Sequence, residues 1–295
     1  TPVTDGEAVY CLFGNVGLWK LDFDGNVLWS KRFEPLPTRF GWGPAASPVL
    51  FEDRLYLVND NDEASYLAAI DNQSGEEVWR VARDEKSNWA TPFVWKNDLR
   101  TEIVVPGTGQ IVSYDLQGQP LWSLRGMSSI TIATPYEADG LLVVTSGYIL
   151  DKLKPIYAIR PGAEGDITPD RDDKEGEKLP EGLAWWNPSA APYNPSTLAA
   201  NGRLYVLYDQ GFFACYDLRT GKEIYDKKRV PNGRAFTSSP WFANGTVYCL
   251  NEDGVTFAID GGDEFRIERT NLLAEDDMCM ATPAIAQNRL LIRTA

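Results

Sequence analysis

Ser47-Pro48-Val49-Leu50-Phe51, Arg54-Leu55-Tyr56-Leu57-Val58, Ala68-Ala69-Ile70-Asp71 and the run from Gly75 to Trp79 are four short segments lying within residues 47–79. Each is too short for a buried helix and the second is rich in β-forming residues, so each reads as a strand. Polar turns separate them: Glu52-Asp53 after the first run, and a Gly turn before the fourth. Asn, Asp and Gly suit such turns because they tolerate positive φ.

The same course recurs along the chain. A Ser or Thr before a proline opens it at Thr1-Pro2, Ser47-Pro48, Thr91-Pro92, Thr134-Pro135, Ser239-Pro240 and Thr282-Pro283, with Asn194-Pro195 in the same place once. The prolines step by 46, 44, 43, 60, 45 and 43 residues. Turn pairs follow at Asp5-Gly6, Asn97-Asp98, Asp139-Gly140, Asn201-Gly202 and Asn244-Gly245. Third runs end in Asp at Asp22, Asp71, Asp115, Asp217 and Asp260. Fourth runs carry Trp29, Trp79, Trp122 and Tyr225. A four-stranded sheet cannot bury both faces alone, and stacking copies around an axis does so. The sequence therefore predicts an all-β protein, a β-propeller of four-stranded antiparallel blades, as one domain over 1–295. Its units span about 1–45, 46–89, 90–132, 133–193, 194–237, 238–280 and 281–295. The last holds two strands, which gives seven or eight blades with the final one completed by further residues or by another chain.

The long fourth step contains an insertion, residues 160–182, between Pro155-Ile156-Tyr157-Ala158-Ile159 and Leu183-Ala184-Trp185. Its acidic run, Asp166 to Glu177, is expected to be a solvated loop. It lacks the carboxylate spacing and closing Glu of an EF-hand.

Ala69-Ile70-Asp71-Asn72-Gln73-Ser74-Gly75-Glu76-Glu77-Val78-Trp79 resembles the A-x-D-x-x-T-G-x-x-x-W tryptophan-docking motif of pyrroloquinoline-quinone-type propeller repeats. Cys215 to Tyr225 is a second copy with Tyr in the Trp place, and Trp19 to Trp29 and Ser113 to Trp122 are shorter versions. The resemblance implies that Trp29, Trp79, Trp122, Trp185 and Tyr225 dock each blade on its neighbour. A Trp buries about 150–250 Å², which suits such a lock. That family includes quinone-dependent alcohol and glucose dehydrogenases and non-catalytic scaffolds similar to the outer-membrane assembly lipoprotein of the BAM complex. It also includes secreted bacterial propellers of unknown function. Its enzymes carry adjacent cysteines with a calcium site, or a His-based site. Here Cys11, Cys215, Cys249 and Cys279 are far apart and His is absent.

Composition narrows the function further. Without His there is no Ser-His-Asp triad, Cys-His dyad or His-ligated metal. A net charge of −14 disfavours nucleic acid, and Lys227-Lys228-Arg229 reads as a solvated turn. No run approaches the ~18 apolar residues that cross a bilayer. Thr1 stands inside a strand-like run, so the chain is expected to be a processed or trimmed form. Cys11, Cys215 and Cys249 lie in apolar strand-like runs, and the four cysteines are expected to be buried free thiols, with a disulfide between neighbouring blades as the alternative.

Segments joining one blade's fourth strand to the next blade's first gather at one propeller face, where binding residues concentrate. They hold Arg39 and Trp42, Asn88 and Trp89, Arg125, Tyr193, Arg234, and Asp276 with Asp277. Aromatic and Arg residues dominate interaction hot spots. The expectation is a non-catalytic periplasmic or secreted bacterial scaffold for another protein, with no catalytic residue, no cofactor and no metal assigned. The alternatives are a quinone- or calcium-dependent oxidoreductase with a degenerate site, and a carbohydrate-binding propeller.

Overall fold

A computed structural model describes residues 1–14, 16–171, 178–273 and 278–295. Asp276, Asp277 and part of the acidic run lie outside these residues. The chain divides into two compact units, Thr1–Val144 with Ile159–Leu183, and Thr145–Ala158 with Ala184–Ala295.

Among the described residues there are seven sheets, in chain order, and one short 3-10 turn at Arg39–Gly41. The second sheet shows the pattern. Val49–Phe51, Arg54–Asn59, Tyr66–Asp71 and Glu77–Ala82 pair antiparallel, each with the next along the chain. The first hairpin is in tight register, with Leu50 opposite Leu55 and Phe51 opposite Arg54. Its two-residue turn needs positive φ, which Glu52 adopts at 53°. The equivalent Asn201-Gly202 turn takes 51° and 73°, the conformation that matches strand twist. Sheets five and six repeat this meander, and the seventh consists of Ala284–Ala286 and Arg289–Leu291.

Burial follows from strand position within a sheet. Tyr66–Ile70 is buried at every residue, whereas Glu77–Ala82 alternates between half-buried and exposed. Inner strands are covered on both faces because sheets pack on sheets. In the first unit Tyr10 and Leu18 meet Leu55, Leu57 and Ile70. Tyr56, Val58 and Leu67 meet Ile103, Val105 and Tyr114. In the second unit Tyr205, Leu207 and Phe213 meet Val247, Phe257 and Ile259. Burying such a side chain contributes about 1.5–3 kcal/mol, so these sheet-to-sheet layers dominate stability.

The cysteines are all free, three of them buried and Cys11 half-buried. Burial pushes the Cys215 thiol up to about 12 and raises Cys249 still further. Both are inert small hydrophobes at neutral pH.

The insertion differs from a freely solvated loop. Gly165–Asp166 pairs parallel with Pro120–Arg125 and adds a fifth strand to the third sheet. Ile167 N donates to Ser123 O at 2.9 Å, Arg125 N donates to Thr168 Oγ1, and Arg125 ion-pairs with Asp166. The cause is apolar: Ala163 and Ile167 are buried within an otherwise polar stretch.

Candidate interaction surfaces

The aromatic residues of the fourth runs sit where one sheet meets the next. Trp29 Nε1 donates to the carbonyl of Asn72 at 3.2 Å, Trp79 Nε1 to that of Leu116 at 3.1 Å, and Trp185 Nε1 to that of Leu218 at 2.9 Å. Each acceptor follows the Asp that ends a third run, Asp71, Asp115 or Asp217. That Asp shapes the turn: Asp71 Oδ1 accepts from Ser74 N and Oγ, and Asp217 Oδ1 from Thr220 N and Oγ1. Both carboxyls are held below their ordinary pKa, chiefly by these hydrogen bonds. The turn glycine then lies flat under the indole. A Cβ on Gly75 would come within 2.9 Å of the Trp29 ring, and one on Gly221 within 2.6 Å of Trp185.

Two positions differ. Trp122 Nε1 donates to Glu102 Oε2 at 2.6 Å within its own sheet, where that buried carboxylate also accepts from Ser113 Oγ. Tyr225 has no indole N–H. It packs between Phe213 and Phe265, and the carbonyl after Asp260, that of Gly261, accepts from the Tyr205 hydroxyl at 2.6 Å.

Among the loops of the first unit, Arg39, Trp42 and Trp89 come together. Phe40 and Trp42 are 66% and 56% exposed, with ring centroids 5.1 Å apart, and Trp42 lies 5.4 Å from Trp89. Trp89 is nearly buried, and its Nε1 donates to Gly43 O at 2.8 Å. Arg39 places its guanidinium 5.0 Å from the Phe40 ring and donates to Ser129 O. Phe40 holds a φ of 58°, a left-handed conformation that costs about 1–2 kcal/mol for a residue with a Cβ. Surrounding contacts impose it: Gly41 N donates to Thr38 O and Gly43 N to Thr38 Oγ1. The loop is thus a fixed display of two aromatic faces.

Asn88 is not on that display. It is buried, with Nδ2 donating to Asp60 Oδ2 and Pro106 O. It belongs to a polar network that the sequence reading missed. Arg83 and Asp60, with side chains 1% and 0% exposed, pair at 2.8 Å, and Arg83 Nη1 donates to the Tyr114 hydroxyl. Burial opposes the guanidinium charge, but Asp60 outweighs it and raises the Arg83 pKa above its ordinary value. Nearby, Glu85 accepts from the backbone N–H groups of Thr108, Gly109 and Gln110. Arg125 is exposed and engaged by Asp166, as described above.

In the second unit Tyr193 lines a cavity of about 260 Å³, and its ring lies 5.3 Å from that of Tyr148. Arg234 is exposed and pairs with Asp253 at 3.2 Å. Asp276 and Asp277 lie outside the described residues. Among the described residues no group of three or more Cys, Asp and Glu side chains is placed to hold a metal ion. No helix among them is long and apolar enough to cross a membrane.

The family model described as outer membrane protein assembly factor BamB matches residues 3–155, more than half of the chain. The chain belongs to that family. Among solved structures it is similar to BamB from Moraxella catarrhalis, with 15% identity, a TM-score of 0.70 and coverage of 99% of this chain and 80% of that one. The computationally designed Ika8 protein matches at 13% identity and a TM-score of 0.56, covering 100% and 92%. A europium-containing methanol dehydrogenase matches at 12% identity and 0.51, covering 96% and 79%. At these identities the likeness is one of fold, and the fold is a β-propeller. No curated protein matches the sequence.

Proposed function

We propose that this member of the BamB family is a non-catalytic interaction scaffold, acting in the bacterial periplasm or outside the cell, and that the Arg39–Trp42 loop is its principal contact with a protein partner. One observation carries the reading. Phe40 and Trp42 expose large aromatic faces on a loop whose backbone is fixed in a strained conformation. Aromatic residues that are already ordered lose little entropy on binding and so make strong anchors. Trp29, Trp79, Trp122, Trp185 and Tyr225 belong in this proposal to the packing of the sheets and leave the loops free for recognition. The location rests on the family's description as an outer membrane protein assembly factor. The net charge of −14 supports a protein partner over a nucleic acid.

The test compares Phe40→Ser/Trp42→Ser with the unaltered chain, each immobilised and exposed to the envelope fraction of its own host. A partner captured by the unaltered chain should be lost from the double variant while the urea midpoint stays unchanged. Equal capture by both would remove the loop from the interface. Oxidoreductase activity would instead require a calorimetric response to pyrroloquinoline quinone with calcium, and the scaffold reading expects none.

A further inference from the structure

The cavity beside Tyr193 lies wholly within the second unit, and its chemistry differs from that of the rest of this acidic chain. Its charged lining consists of Lys154, Lys227 and Asp209. The Asp209 carboxylate is already engaged, with Oδ2 accepting from Tyr193 N at 2.9 Å and Oδ1 from Asn194 N at 2.8 Å. None of the ion pairs between described residues involves either lysine. Both are nonetheless positioned. Lys154 Nζ donates to Asp151 O at 2.6 Å, and Lys227 Nζ lies 4.3 Å from the Tyr208 ring centre. Two ammonium groups with spare donors therefore face one cavity whose only carboxylate has its partners.

The walls are preformed. Lys154 N donates to Pro188 O, Ala191 N donates to Lys154 O, and the Tyr208 hydroxyl donates to Ala190 O. Gly147 packs so closely on the Pro192 backbone that a Cβ would collide with it. Apolar surface adjoins the cations: Ile149 lines the cavity, and the next residue, Leu150, is 78% exposed. A sugar acid would bring several hydroxyls needing donors and acceptors, and the Tyr208 hydroxyl and Asp209 are already engaged. A carboxylate on an apolar body needs what is present, two lysine ammonium groups lining the cavity and an apolar wall. The size matches a single residue, below the range of about 300–1,000 Å³ typical of drug-sized ligands.

We infer that this cavity binds the C-terminal carboxylate of an extended peptide ending in an apolar residue, with Lys154 and Lys227 holding the carboxylate and Ile149 the terminal side chain. The site shares no residue with the Arg39–Trp42 loop and stands whether or not that loop binds a partner.

Fluorescence anisotropy with fluorescein-labelled pentapeptides ending in phenylalanine or leucine tests it. The free acids should bind at least about tenfold more tightly than the same peptides amidated, the worth of one charge-assisted hydrogen bond. Lys227→Glu, an exposed change that leaves the fold intact, should remove that difference, and Lys154→Met should weaken acid binding while leaving the urea midpoint near its original value. Equal binding of acid and amide would overturn the assignment. So would binding of neither, or binding of galacturonic acid without the peptides.

Discussion

Trp29, Trp79 and Trp185 each rest on a turn glycine, Gly75, Gly118 and Gly221, at positions where an added Cβ would meet the ring. Gly75→Ala should therefore cost about 2–4 kcal/mol, combining overpacking against Trp29 with a left-handed backbone. Gly245→Ala is the control. Gly245 also has positive φ, but a Cβ there meets nothing within 4 Å, so about 1 kcal/mol is expected. Urea denaturation measures both, and equal losses would mean that the indole contact adds nothing. The Asp before the turn makes a second expectation possible. The folded pKa of Asp217 lies below its unfolded value, so its contribution is present above about pH 4 and fades as pH falls through the folded pKa. The urea midpoint should drop on acidification from about pH 5 to pH 2, and Asp217→Asn should flatten that part of the curve. An unchanged slope would place the acid sensitivity in other carboxylates.

Strands and loops of the first unit are tied by polar groups that water does not reach. The Arg83–Asp60 pair joins the end of one strand of the second sheet to the end of another, and through Tyr114 to the third sheet. Breaking it from one side strands a buried charge. Arg83→Leu should cost about 3–5 kcal/mol, and adding Asp60→Leu should recover part of that loss. A double variant weaker than the single one would show that Asp60 is needed chiefly for its bond to Asn88. The turn after Thr101–Pro106 depends on Glu85 in a comparable way. Three successive N–H groups point at one carboxylate. In Glu85→Ala the amides of Thr108, Gly109 and Gln110 should lose hydrogen-exchange protection before the strands on either side do. Unchanged protection would assign their slow exchange to the flanking strands.

At the scale of the whole molecule, the sequence was most legible where the same physics repeats. The Ser/Thr-Pro starts, polar two-residue turns and Asp-ended third runs each solve a local problem of backbone conformation, and they recur along the chain, the Asp-ended run in five of the sheets. Sites used once were harder to read. Arg83 and Glu85 follow the alternating strand Glu77–Ala82, where charge normally means solvent, yet both are buried, Arg83 against Asp60 and Tyr114 and Glu85 against the turn at Thr108–Gln110. The Lys154–Lys227 cavity joins residues more than one repeat apart, and no local pattern announces that. Trp122 fits the repeat by sequence yet turns to Glu102, and the third sheet's outer edge carries the inserted strand Gly165–Asp166. Repetition also governs how stability should add up. A solenoid-like array is held by its units and by nearest-neighbour interfaces. Trp29 contacts the second sheet and Trp79 the third, and they share no hydrogen-bond partner. The losses from Trp29→Phe and Trp79→Phe, about 1 kcal/mol each for the hydrogen bond, should add within about 0.5 kcal/mol. Trp29→Phe and Gly75→Ala remove and obstruct the same contact, so their combined loss should fall short of the sum. A double-mutant cycle in urea measures both pairs. Strong coupling between Trp29 and Trp79 would mean that the second sheet transmits strain from one face to the other instead of acting as a rigid spacer.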